Sequence, residues 1–155
     1  MMLSTLLLVG ALSAPSALDI QSVSWSVDAC PRGCHHRQTE IYADLTRETV
    51  RVSPDIRTED RDHIRRAQWD RLSHALGAAN IASLPEDISI DSPQHCPGLV
   101  MTERTFTIQV ETPDDTYGIF YVQNCHYAPL DILIGAVGDI LPGINTLPGL
   151  DETPQ

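Results

Sequence analysis

The chain has no lysine. All ten of its basic residues are arginines, set against 21 acidic residues, for a formal net charge of −11. An acidic chain with scattered arginines lacks the basic footprint that nucleic acid or an anionic membrane surface requires. No apolar run reaches the roughly 18–20 residues needed to cross a bilayer. No glycine-rich phosphate loop appears, which argues against nucleotide use, and no Gly-x-Ser-x-Gly elbow marks a serine hydrolase. Internal repeats are also missing. At 155 residues the chain fits one domain with room for a core.

What is present begins at the N-terminus. Leu6–Leu12 is a short apolar run followed by the small residues Ser13, Ala14, Pro15, Ser16 and Ala17. That order is the apolar core and cleavage region of an export signal, with cleavage after Ser13, Ser16 or Ala17. Residues 1–17 are therefore read as a signal peptide, and the mature chain as periplasmic or extracellular. No cysteine lies near that boundary to carry a lipid, so no membrane insertion is expected once the signal is removed.

Periodicity then supplies the elements. Val23, Trp25 and Val27 alternate with serines and Asp28, a half-buried strand. Thr39–Ala43 and Thr49–Val52 read as a strand pair across Asp44–Glu48. Thr58 reads as a helix N-cap, with Glu59, Asp60 and Asp62 where the helix dipole favours acid. Ile64, Trp69, Leu72, Ala75, Leu76 and Ala79 form the apolar stripe of that helix, interrupted by Arg65 and Gln68, and Asn80 is its left-handed stop. Residues 85–100 read as a covering loop with a short strand at Ile88–Ile90.

Met101–Cys125 reads as a β-hairpin turning at Pro113-Asp114-Asp115. Centring it near Asp114 sets Phe106, Ile108 and Val110 across from Val122, Phe120 and Gly118, with Tyr121 on the polar face. Pro129 opens a second helix, whose stripe is Leu130, Leu133, Ile134, Val137, Ile140 and Leu141. The resulting fold class is α+β: an antiparallel sheet of about five strands with two helices packed on one face. It spans residues 22–142 as a single domain, with 143–155 as a flexible tail.

Four cysteines in an exported chain, Cys30, Cys34, Cys96 and Cys125, imply two disulfides from three connectivities. The favoured pairing is Cys30–Cys34, closing a short loop, and Cys96–Cys125, stapling the hairpin. A competing reading is a copper or zinc site. It draws on Cys34 with His36, His95 with Cys96, and Cys125 with His126, and it requires free thiolates. The three-residue spacing of Cys30 and Cys34 fits neither covalent haem attachment nor a thioredoxin-type redox pair. Glu86-Asp87 and Asp114-Asp115 are solvated loop acids rather than a catalytic pair.

The stretches Cys30–Cys34, Thr39–Asp44, Gln68–Leu72 and Ala78–Pro85 together resemble a bacterial family of small exported domains of unknown function. Its mark is Cys-x-x-x-Cys before a β-hairpin that carries glycine where Leu45 stands here. The resemblance implies a cell-envelope α+β domain and brings no activity, cofactor or site residues with it. The expected function is that of a non-enzymatic, disulfide-braced module, monomeric and without cofactor, that binds a protein partner or serves the envelope. Loop 85–100, with His95, and the turn with Asp114 and Asp115 are the candidate recognition loops. The metal-binding reading and a role as inhibitor of a secreted enzyme are the alternatives.

Overall fold

A computed structural model of the chain describes residues 18–29, 34–89, 91–92, 94–96, 104–122, 125, 127–138 and 140. The expected signal peptide and the tail beyond 140 lie outside the described residues. The elements run in the order β1 (Ser22–Ala29), β2 (His35–Tyr42), β3 (Thr46–Val52), β4 (Arg57–His63), α1 (Arg66–Ala78), a 3-10 turn (Ile81–Ser83), β5 (Asp87–Ile88), β6 (Arg104–Glu111), β7 (Thr116–Val122) and α2 (Ala128–Val137). The strands form one sheet in the order β4-β3-β2-β1-β6-β7-β5, antiparallel throughout except for β5 against β7. The α+β class stands, with seven strands where about five were expected.

The sheet is two-sided in its chemistry because side chains alternate along each strand. The register sets Val23, Trp25 and Val27 of β1 beside Val110, Ile108 and Phe106 of β6, and these beside Tyr117, Ile119 and Tyr121 of β7. On that face the side chains join a core with Trp69, Leu72 and Leu76 of α1 and Leu130 and Leu133 of α2. The opposite face carries Ser24, Ser26 and Asp28 of β1 and Thr105, Thr107 and Gln109 of β6.

The hairpin forms, but one residue out of the expected register. Phe106 faces Tyr121 and Ile108 faces Ile119, because the connection is the four-residue loop Thr112–Asp115 rather than a turn centred on Asp114. Thr112 holds that loop: its hydroxyl accepts from the Asp115 N–H at 3.0 Å, and its own N–H donates to the Asp115 carbonyl at 2.9 Å. A one-residue slip exchanges the faces of a strand. Tyr121 is therefore buried at 7% exposure while Phe120 stands outside at 38%. The Tyr121 hydroxyl donates to the Cys125 carbonyl. Burial, helped by nearby Asp131, pushes the phenol pKa up to about 12. Phe120→Ala should change stability by less than about 0.5 kcal/mol, whereas Tyr121→Ala should cost about 3 kcal/mol or more in urea unfolding. The reverse ranking would restore the register centred on Asp114.

The largest correction is β4. The expected first turns of the long helix, from Thr58 onward, are a strand whose acids answer arginines on β3 instead of a helix dipole. Arg47 donates to Asp62 at 2.7 Å from Nε, and Arg51 pairs with Asp60. On the other face Arg61 lies 3.5 Å from Glu48. Cross-strand ion pairs of this kind favour the pairing that makes them. The helix begins only at Arg66, where the Gln68 side chain, expected to interrupt the stripe, accepts the Arg65 N–H at 2.9 Å. At its end Asn80 takes the expected left-handed conformation, φ 50°, and Ile81 turns into the core.

Between β2 and β3, Leu45 has a φ of 75°, a region where glycine is the default residue. Here Leu45 packs its side chain against the core, which offsets part of the backbone strain. The Asp44 carboxylate accepts the Thr46 N–H at 2.8 Å to close the turn.

Candidate functional site

Cys96 and Cys125 form a disulfide, with both residues buried. It joins the segment before β6 to Cys125, three residues beyond the end of β7, as the expected staple does. Cys34 is also disulfide-bonded. Cys30, its expected partner, lies outside the described residues, as does His126. These bonds overturn the metal reading: Cys34, Cys96 and Cys125 have no thiolate to offer an ion. Among the described residues no group of three His, Cys, Asp or Glu side chains is placed to hold a metal.

The two described histidines of that reading, His36 and His95, have other neighbours. His36 hydrogen-bonds through Nδ1 to Asp28 at 2.8 Å, a cross-strand pair on the polar face of the sheet. His95 stands edge-on to Tyr127, with ring centroids 5.5 Å apart. It therefore serves to pack the turn before Cys96 against the start of α2. Asp114 and Asp115 are exposed at the hairpin tip.

Two hollows remain. The smaller, about 210 Å³, lies where β2 begins and β3 ends, between His35, Arg37, Arg51 and Thr58. Arg37 sits directly opposite Arg51. Burial and the neighbouring Arg51 and Arg47 lower the pKa of the Arg37 guanidinium. Both arginines are already engaged, Arg51 by Asp60.

The larger hollow is an apolar cleft of about 660 Å³ between α1 and α2. Each helix turns its large side chains down onto the sheet. α1 then presents Ala75, Ala78 and Ala79 to the cleft, and α2 presents Ala128, Pro129 and Ala136. Alanine walls keep the two helices from filling the space between them. Leu133 forms part of the floor, and Ile132, 73% exposed, stands at the mouth. The polar lining side chains are Arg71 and His74, both on α1. A volume of this size lies within the range of sites that bind ligands or partner side chains, roughly 300–1,000 Å³.

The sequence reading missed this cleft and placed recognition on the loops. The available signal was Ile132, an isoleucine off the apolar stripe of its own helix. No protein-family model matches the chain, and no curated protein matches it either. Function is therefore read from geometry and chemistry. Among the described residues no helix is long and apolar enough to cross a membrane.

Proposed function

We propose that the chain is an exported, disulfide-braced, non-enzymatic module that docks a helical segment of a partner protein in the cleft between α1 and α2. The observation that carries this reading is Ile132. It is the most exposed of the large hydrophobic side chains among the described residues, and it borders the apolar cleft rather than standing alone. Scattered exposed apolar residues need no explanation, but an apolar side chain at the lip of an apolar cleft marks a contact surface. The helix layer rests on the sheet on one side, and among the described residues nothing covers its other side. A partner helix laid between α1 and α2 would supply a third layer, in the manner of helix-in-groove recognition. The disulfides suit an oxidising compartment, which supports export.

Site-specific photo-crosslinking of the exported chain in its native host tests the reading. A photoreactive residue at position 132 should give one discrete adduct, and Ile132→Asp in the neighbouring background should abolish crosslinking from position 78. The same probe at position 107, on the polar face of the sheet, should give none. Adducts from 107 equal to those from 132, or none from 132, would remove the cleft as the docking surface. Ile132→Asp should leave the midpoint of urea unfolding unchanged within about 0.5 kcal/mol, because the site is exposed.

A further inference from the structure

The smaller hollow lies on the helix side of the sheet, at the end where β2 begins and β3 stops. Directly opposed residues of neighbouring strands share a face. Arg37 of β2, Arg51 of β3 and Thr58 of β4 therefore form one row, on the side that carries Val27. His35 precedes Arg37 by two residues and shares that face. β4 is exposed along its whole length, so neither helix covers the Thr58 end of the row. Like charges directly opposed across a strand pair are destabilising, and here two guanidiniums are opposed. Asp60 is the described carboxylate at this end of the face, because Asp28, Glu40, Glu48 and Glu59 belong to the opposite one. Burial first, then the charges of Arg51 and Arg47, lower the pKa of Arg37, and Asp60 offsets part of this. Arg51 meets Asp60 through Nη1. A guanidinium carries five N–H donors in a fork that matches a carboxylate, so engagement by one acid leaves donors for another.

The other wall of the hollow is apolar. Ile56, 62% exposed, is one of the few large hydrophobic side chains left in water among the described residues. The Ser53 N–H donates to the Ile56 carbonyl at 2.8 Å and the Ile56 N–H to the Ser53 carbonyl at 3.3 Å, which closes the β3–β4 turn. That turn holds Ile56 at the hollow, beside Val52. We propose that this hollow binds a short-chain carboxylate, its oxygens on the Arg37–Arg51 pair and its alkyl part against Ile56 and Val52. The volume, about 210 Å³, is below the roughly 300–1,000 Å³ of sites for drug-sized ligands, which limits the occupant to a few carbons. A tetrahedral oxyanion such as phosphate would meet the arginines but leave Ile56 in water. The hollow shares no lining residue with the α1–α2 cleft, so this site does not depend on the docking reading.

Amide NMR titration of the oxidised, isotope-labelled full chain with butyrate, at an ionic strength held constant with sodium chloride, tests the site. Butyrate should give saturable shifts centred on residues 35–37, 51–53 and 56–58, with acetate binding more weakly and inorganic phosphate more weakly than butyrate. Arg37→Gln should weaken butyrate by about tenfold or more, the loss of a charge-assisted hydrogen bond. Ile56→Ser, at an exposed position that folding does not depend on, should weaken butyrate several-fold and leave acetate unchanged. It keeps the test available if Arg37→Gln does not fold. Ile132→Asp should leave butyrate binding as in the wild type. Absence of saturation with butyrate, phosphate binding as tightly as butyrate, or Ile56→Ser weakening acetate and butyrate alike would each overturn the proposal. Shifts centred on the α1–α2 cleft and lost with Ile132→Asp would overturn it too.

Discussion

Replacing Cys96 and Cys125 together with alanine should lower the unfolding free energy of the oxidised chain by about 3–4 kcal/mol, read from the shift of the urea midpoint. The two cysteines are 29 residues apart in sequence, and the loop they close contains both strands of the β6–β7 hairpin. In the unfolded chain the bond removes the freedom of a loop of about thirty residues, which accounts for that magnitude. In the folded state Cys125 is held as well by its N–H, which donates to the Val122 carbonyl at 3.1 Å, and by its carbonyl, which accepts the Tyr121 hydroxyl. The effect should vanish when wild type and variant are compared under full reduction. A loss below about 1 kcal/mol would mean that the hairpin ends are held by packing alone.

Trp25→Ala should be the most damaging single substitution in the sheet, costing about 3–5 kcal/mol in the same assay. Trp25 lies in β1, with β2 on one side and β6 on the other, and is 3% exposed. Its ring centroid is 5.7 Å from that of Phe106, which is 5.9 Å from that of Tyr121, so three strands share one aromatic row. The indole Nε1 is buried without a hydrogen-bond partner. The loss is therefore one of packing and apolar burial, and Trp25→Phe should recover much of it. Ser24→Ala, one residue away on the polar face, should change stability by less than about 0.5 kcal/mol. Equal costs at positions 24 and 25 would contradict the assignment of the two faces.

The parts of the fold legible in sequence are those set by local pattern. Val23, Trp25 and Val27 alternate strictly, and the stripe from Trp69 to Ala79 keeps one helix face, so both elements were found. Asn80 was found because a left-handed stop has few suitable residues. β4 was misread for a physical reason. A strand with seven exposed polar residues has no apolar period to distinguish it, and acids at 59, 60 and 62 suit a helix N-terminus just as well. What decides between the two is Arg47 and Arg51, whose place beside those acids exists only once the segment has paired with β3 as β4.

The hairpin register failed on a similarly narrow point. Phe120 and Tyr121 are both aromatic, so either could supply the inner face, and the choice lies with the Thr112 hydroxyl that sets the loop length. The Cys96–Cys125 bond was legible because the hairpin brings its own ends together. The α1–α2 cleft was not, since it is a space between helices far apart in sequence, and periodicity describes one helix at a time.

The measurement that tests the central claim most directly is the intact mass of the purified full chain, denatured and exposed to a thiol alkylating reagent before and after reduction. Without reduction, the chain should take up no reagent and weigh about 4 Da less than its four-thiol form, two hydrogens for each disulfide. After reduction it should take up four equivalents. Alkylation of unreduced Cys96 or Cys125 would contradict the account, because the brace on the hairpin would then be absent and thiolates would again be available to a metal ion.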